Sequence, residues 1–123
     1  MTELRDRIQD VVRNEDVALF MKGTPDFCTC GNSTRALQAL RAAGASFAAV
    51  DVLADPRIRQ ELSALSGWPT IPQVFIRGEL IGGADIVEEL LQSGELEETL
   101  EGTFGPGYRD DREERVVEVL SPV

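Results

Sequence analysis

Residues 17–52 read VALFMKGTPDFCTCGNSTRALQALRAAGASFAAVDV, and the changes of pattern along this stretch decide the architecture. Val17-Ala18-Leu19-Phe20-Met21 is an unbroken apolar run of strand length bounded by turn residues, as expected of a central strand buried on both faces. Lys22 to Asp26 (KGTPD) is the loop leaving its C-terminal end. From Ser33 or Thr34 to Ala43, the residues Ala36, Leu37, Leu40 and Ala43 form a helical apolar face, which Gly44 stops. Ser46 to Val52 then returns to a strand pattern. A strand, a helix and a strand joined by a crossover of this length pair in parallel with a right-handed connection.

Upstream, Leu4, Ile8, Val11 and Val12 predict a helix that ends near Arg13 and Asn14. Downstream, Asp55-Pro56 opens a helix with Ile58, Leu62 and Leu65 on its buried side, ending at Ser66-Gly67. Trp68-Pro69-Thr70-Ile71-Pro72 is a rigid connector into the strand Gln73-Val74-Phe75-Ile76, and the two-residue turn Arg77-Gly78 folds that strand onto Glu79-Leu80-Ile81. Asp85 to Gln92 and Glu95 to Leu100 supply the last helical turns, punctuated by Ser93-Gly94. This order predicts an α/β layer, a mixed four-stranded sheet flanked by helices, in the thioredoxin-like arrangement. The layer is expected to close by Leu100. Beyond Gly102 come a loop (Phe104 to Tyr108), a mixed-charge run (Arg109 to Arg115) and a short apolar patch (Val116 to Leu120).

The 123 residues suit one compact domain with at most a short appendage, and 42% apolar with 28% charged residues describes a globular chain with a real core. The net charge of −10 repels phosphate backbones and anionic lipid heads, so neither nucleic acid nor a membrane is an expected partner. With no His in the chain, Ser-His-Asp and Cys-His catalysis and His-bearing zinc sites are excluded. The two cysteines, Cys28 and Cys30, are too few and too close for a secreted disulfide framework. The N-terminus lacks an uninterrupted apolar segment, and no stretch is long enough to span a bilayer. A reducing, cytoplasmic compartment is expected.

Chemistry must then come from thiols, hydroxyls or carboxylates. Cys30 lies just ahead of the first crossover helix, where unpaired backbone N–H groups and the helix dipole favour a thiolate, a nucleophile or metal ligand. Lys22, the only Lys among twelve basic residues, lies across the loop at the end of the first strand, where a compact ammonium fits better than a planar guanidinium. A cis Ile71-Pro72 bond would turn the Ile71 backbone outward to pair with an extended peptide. Gly82-Gly83-Ala84-Asp85 bends into a helix whose first N–H groups can hold a carboxylate, while the Asp85 side chain accepts from an ammonium. Together these groups could hold a short zwitterionic peptide, with Lys22 and Arg59 for its far carboxylate.

Lys22-Gly23-Thr24-Pro25, Cys30-Gly31-Asn32-Ser33, Trp68-Pro69-Thr70-Ile71-Pro72-Gln73 and Gly82-Gly83-Ala84-Asp85 run in the order and register of the monothiol glutaredoxins, those with a Cys-Gly-Phe-Ser site, and the chain resembles that family from about Leu4 to Leu100. The resemblance implies a glutaredoxin domain over residues 1–102 with a C-terminal extension over 103–123, glutathione as ligand, and a [2Fe–2S] cluster bridging two subunits. It makes Cys30 the cluster-ligating and reactive thiol. Lys22, Arg59, Ile71, Ala84 and Asp85 match positions that hold glutathione. BolA-like proteins and iron–sulfur apo-proteins are the implied partners, and a homodimer the implied cluster-bound state. Asn32 departs from the family's Phe, and Cys28 stands where the family usually has Pro or another non-thiol residue. Cys28 could resolve a mixed disulfide, offer an alternative ligand, or do nothing.

Three functions are consistent with these residues. One is an iron–sulfur carrier, in which two protein thiolates and two glutathione thiolates complete a transferable [2Fe–2S] shell. Another is a glutathione-dependent thiol–disulfide oxidoreductase using Cys30 as nucleophile. The third is a redox-inert adaptor that binds a partner through the same face.

Overall fold

The computed structural model describes residues 3–120. In chain order the elements are α1 (Leu4–Asn14), β1 (Val17–Met21), α2 (Gly31–Ala42), β2 (Phe47–Asp51), a 3-10 turn (Val52–Ala54), α3 (Pro56–Ser66), β3 (Gln73–Ile76), β4 (Glu79–Gly82), α4 (Ala84–Ser93), α5 (Glu95–Phe104) and β5 (Glu114–Val116). The strands form one mixed sheet in the order β4-β3-β1-β2-β5. β1 is central, parallel to β2 and antiparallel to β3, and all five of its residues are buried.

Alternation along β1 divides the interior. Val17, Leu19 and Met21 pack with Leu37, Leu40, Val87, Leu96 and Leu100, on the side covered by α2, α4 and α5. Ala18 and Phe20 pack with Ile8, Val11, Ile58 and Leu62, on the side of α1 and α3. There Phe20 meets Phe75 edge to face, with ring centroids 5.7 Å apart. The β3–β4 hairpin turns on Arg77 and Gly78 as the spacing implied, with φ of 52° and 82°. Two positive φ values define the mirror-image turn whose twist matches that of the flanking strands.

Three expectations are corrected. α2 begins at Gly31, two to three residues before the expected start, because Cys30 is extended (φ −124°, ψ 128°) and its carbonyl accepts the first helical hydrogen bond from the Thr34 N–H at 2.9 Å. Gly31 and Asn32 are weak helix formers, which hid this turn from the apolar pattern. β2 ends at Asp51, one residue early, since the Asp51 carboxylate accepts from the Leu53 N–H at 2.8 Å and turns the chain into the 3-10 segment.

The largest correction is the strand count: five strands replace the expected four, and the layer does not close by Leu100. β5 pairs in parallel with β2, Phe47 opposite Glu114 and Ala49 opposite Val116, and the Val117 N–H donates to the Ala49 carbonyl at 2.8 Å. The preceding segment supplies donors for the end of α2. The Tyr108 hydroxyl donates to the Ala43 carbonyl at 2.7 Å, and the Arg109 and Arg112 guanidinia donate to the Ala42 and Ala45 carbonyls at 3.2 Å each. Carbonyls at a helix C-terminus have no intrahelical partner and need such donors. Gly44 fits this arrangement on two counts: its φ is +79°, and a Cβ there would lie 2.5 Å from the Arg109 side chain. Farther on, Val119 is 3% exposed among the residues beneath α1 and α3, with Val117 and Leu120 packed alongside. Residues 121–123 of the extension lie outside the described residues.

Candidate active site at the N-terminus of the first crossover helix

Met21, the last residue of β1, is buried, and the loop after it is shaped by close backbone contacts. Gly23 has φ +100°, and a Cβ there would stand 2.3 Å from the Phe27 carbonyl oxygen, so only glycine fits. Its N–H donates to the Asp51 carboxylate at 2.9 Å, which pins the loop to the end of β2, and an isolated bridge pairs it with Cys28. The chain then extends through Thr29 to Cys30, the N-cap residue of α2.

Cys30 is half-buried and outside any disulfide. Its thiol is held below its ordinary pKa chiefly by the Ser33 backbone N–H; burial opposes this, and the Asn32 N–H, the Ser33 hydroxyl and the Lys22 charge add to the lowering. The dominant donors are therefore the free N–H groups of the first helical turn, and the Lys22 ammonium contributes least. Ser33 itself is fully buried, and its hydroxyl oxygen accepts from the Lys22 N–H at 3.0 Å. One buried hydroxyl thus joins the end of β1 to the turn that faces the sulfur.

Cys28 has other surroundings. Its sulfur lies 3.1 Å from the Thr34 hydroxyl and 3.6 Å from the Cys30 carbonyl, against the core side covered by α2. It does not share the N–H groups that act on Cys30.

Among the residues matched to glutathione-holding positions, Lys22 and Arg59 line one cleft, along α3, together with Leu53, Pro56 and Gln60. Ile71, Ala84 and Asp85 line a second cleft of about 310 Å³ with Asn32, Trp68 and Gly83. The Arg59 guanidinium donates to the Pro69 carbonyl at 3.4 Å, tying α3 to the connector that walls the second cleft. In that connector the Ile71-Pro72 bond is cis, the one of the two isomers that turns the Ile71 backbone outward. The buried Gln73 amide donates to the Trp68 and Thr70 carbonyls at 3.0 and 3.2 Å, which shapes the turn around it. Gly83 is the N-cap of α4, so Asp85 lies in the first helical turn with its side chain 84% exposed.

Two features were missed at the level of sequence. Arg35 on α2 reaches across to α4, with Nη2 donating to Asp85 Oδ1 at 2.6 Å and to Glu88 Oε1, Nε to Glu88 Oε2 at 3.1 Å, and Nη1 to Asn32 Oδ1 at 3.1 Å. Asp51 was the other, and its short spacing to Leu53 was a readable capping signal. Among the described residues no group of three or more His, Cys, Asp and Glu side chains is placed to hold a metal ion.

A mixed sheet with a crossover helix whose N-terminus activates one half-buried thiol defines a thioredoxin-like thiol protein. The sequence model of the glutaredoxins matches residues 17–81. The probable monothiol glutaredoxin GrlA of Legionella pneumophila is 56% identical over 82 residues, 67% of this chain and 92% of that protein. The chain belongs to the glutaredoxin family. Monothiol glutaredoxin-S11 of rice is 52% identical over 97 residues, 79% of this chain, yet the chain spans only 20% of that longer relative. Among solved structures, reduced apo GrxS14 of poplar superposes with a TM-score of 0.71 at 44% identity, covering 81% of this chain and 92% of that one. A buckwheat glutaredoxin–glutathione complex gives 0.70 at 27% identity, covering 84% and 96%. Among the described residues no helix is long and apolar enough to cross a membrane.

Proposed function

We propose that the protein binds glutathione at Cys30 and, as a homodimer, carries a subunit-bridging [2Fe–2S] cluster for transfer to iron–sulfur apo-proteins in the cytoplasm, with BolA-like proteins as further partners. The observation that carries this reading is the Cys30 thiol at the start of α2, held below its ordinary pKa by the N–H groups of the first helical turn, with one cleft lined by Lys22 and Arg59 and another lined by Gly83, Ala84 and Asp85. Glutathione presents a carboxylate at each end and an ammonium beside one of them. Lys22 and Arg59 suit its glycyl carboxylate, the first N–H groups of α4 at Ala84 and Asp85 suit the γ-glutamyl carboxylate, and the Asp85 side chain suits the ammonium. The Ile71 backbone pairs with the extended tripeptide between them. The buckwheat relative was solved with glutathione bound, which supports the same ligand here.

The donor set fits the cluster. One thiol of lowered pKa per chain, with no further ligand cluster among the described residues, suits a four-sulfur shell shared by two chains and two glutathione molecules. Such a cluster supplies iron and sulfide in a form that can be handed on, since half its ligands are not covalently attached to protein. The Ser33 and Asn32 donors favour the thiolate form of Cys30, and the α2–α4 face orients the glutathione.

The lowered pKa of Cys30 also favours thiol–disulfide exchange as a second reading. The Cys30 thiolate would attack the glutathionyl sulfur of a mixed disulfide, forming a Cys30–glutathione disulfide and releasing the substrate thiolate; a second glutathione thiolate would then attack that disulfide, forming oxidised glutathione and releasing the Cys30 thiolate. Anaerobic reconstitution with iron, sulfide and glutathione separates the cases by the ultraviolet–visible spectrum. A coloured dimer supports the carrier; glutathione-dependent turnover without colour supports the oxidoreductase; neither result leaves the adaptor.

A further inference from the structure

The second cleft ends in a four-residue network that glutathione binding alone does not explain. Asn32 and Arg35 are one turn apart on α2, Asp85 and Glu88 one turn apart on α4, and the guanidinium of Arg35 bonds to the other three side chains. The anchors are unequal. Glu88 takes two donors, from Nε and Nη2, and Asn32 takes Nη1, whereas Asp85 takes a single contact from Nη2 at 2.6 Å. The Glu88 side chain is 35% exposed and that of Asp85 84%, so the Asp85 contact is the one that water and ions can best replace. Arg35 holds the Glu88 carboxyl below the usual carboxylate range, in keeping with Glu88 as its main partner.

We propose that Arg35 is an internal counter-ion of the ligand's ammonium site: it occupies Asp85 in the free protein, and the γ-glutamyl ammonium of glutathione binds by displacing it while Arg35 stays on Glu88 and Asn32. This rests on the reading that Asp85 receives that ammonium. Glutathione then binds more weakly than the Asp85 carboxylate alone would allow, and a nearby cation reduces the preference for glutathione over a γ-acyl analogue lacking the amino group. Asn32, the departure from the family's Phe, belongs to the same device, since its amide oxygen is one of the two anchors that retain Arg35.

The test is a calorimetric titration of wild type, Arg35→Gln, Asp85→Asn and the double variant with two probes, glutathione and glutaryl-cysteinyl-glycine, which differs by lacking the ammonium. An exposed ion pair is worth little, so Arg35→Gln should tighten glutathione about two- to fivefold. The same change should leave the desamino probe no tighter, and the gain should vanish when Asp85 is already Asn. Glu88→Gln, which removes the main anchor and leaves Arg35 to Asp85, should weaken glutathione binding, so the proposal remains testable if Arg35→Gln misfolds. Unchanged or weaker glutathione binding in a folded Arg35→Gln, or a gain that persists in full with Asp85→Asn, overturns the proposal while leaving the glutathione reading in place. Absence of glutathione binding to every variant overturns both.

Discussion

Shortening one side chain in the C-terminal segment tests whether that segment is part of the core. Val119 is 3% exposed, whereas Val116, three residues earlier in β5, is 54% exposed. Val119→Ala removes two carbon groups from the interior, about 1.6 kcal/mol at roughly 0.8 kcal/mol per buried methylene, and the unfilled space adds to this for a total of about 2 kcal/mol. For a chain of this length each kcal/mol corresponds to roughly 4 °C, so Tm should fall by about 8 °C. Val116→Ala, largely in water already, should cost less than about 0.5 kcal/mol and move Tm by no more than about 2 °C. Differential scanning calorimetry of the two variants at one pH and ionic strength gives the comparison. Removing residues 104–123 altogether should lower Tm by more than about 5 °C, because it strips β5 from the sheet edge and the donors of Tyr108, Arg109 and Arg112 from the end of α2. Equal and small shifts for Val119→Ala and Val116→Ala would refute the packing argument.

Three further outcomes are expected. The Glu114 carboxyl is held at about 2 by hydrogen bonds from Arg41 and, secondarily, Arg112; because its folded pKa is depressed, the stability it contributes is present above about pH 5 and lost as pH falls toward 2, so Glu114→Gln should flatten the acid limb of a Tm–pH curve over that window. Removing thiolate donors should raise the Cys30 pKa, with Ser33→Ala moving the pH profile of iodoacetamide alkylation further than Lys22→Gln, since the Lys22 charge is the weakest of the favourable causes; a larger shift from Lys22→Gln would contradict the ranking. Asp85→Ala should weaken glutathione binding by about 1 kcal/mol, roughly fivefold, less than a buried charge-assisted bond would give because the side chain is exposed, and an unchanged calorimetric Kd would remove Asp85 from the site.

The features legible in the sequence are those whose physics is local. The apolar run at 17–21, the helical spacing through Leu37 and Leu40, the Arg77-Gly78 turn and the Ser66-Gly67 stop each follow from steric or periodic rules that act within a few residues, and they suffice for the thioredoxin-like layer. The environment of Cys30 was legible for the same reason, its position next to a helix start being enough to expect a lowered thiol pKa. The start of α2 was misplaced because the signal there is a capping geometry of Cys30 and Thr34, whereas the expectation followed the apolar residues farther on. β5 was hidden by its composition: Glu114-Arg115-Val116 is short and two-thirds charged, and what holds it is the edge of β2 and the pairing of Glu114 with Arg41, 73 residues away. Arg35 was equally opaque. Its role depends on α2 and α4 lying side by side, and partners 50 and 53 residues distant leave no periodic trace.

In the proposed function Cys30, and not Cys28, joins glutathione in holding a cluster between two chains. Native mass spectrometry of the anaerobically reconstituted protein, run in parallel on Cys30→Ser and Cys28→Ser, tests it most directly. Wild type and Cys28→Ser should each give a dimer whose mass includes two glutathiones and one [2Fe–2S] unit, and Cys30→Ser should give only cluster-free protein. A cluster-bearing Cys30→Ser together with a cluster-free Cys28→Ser, or a cluster-bearing species without glutathione, would contradict it.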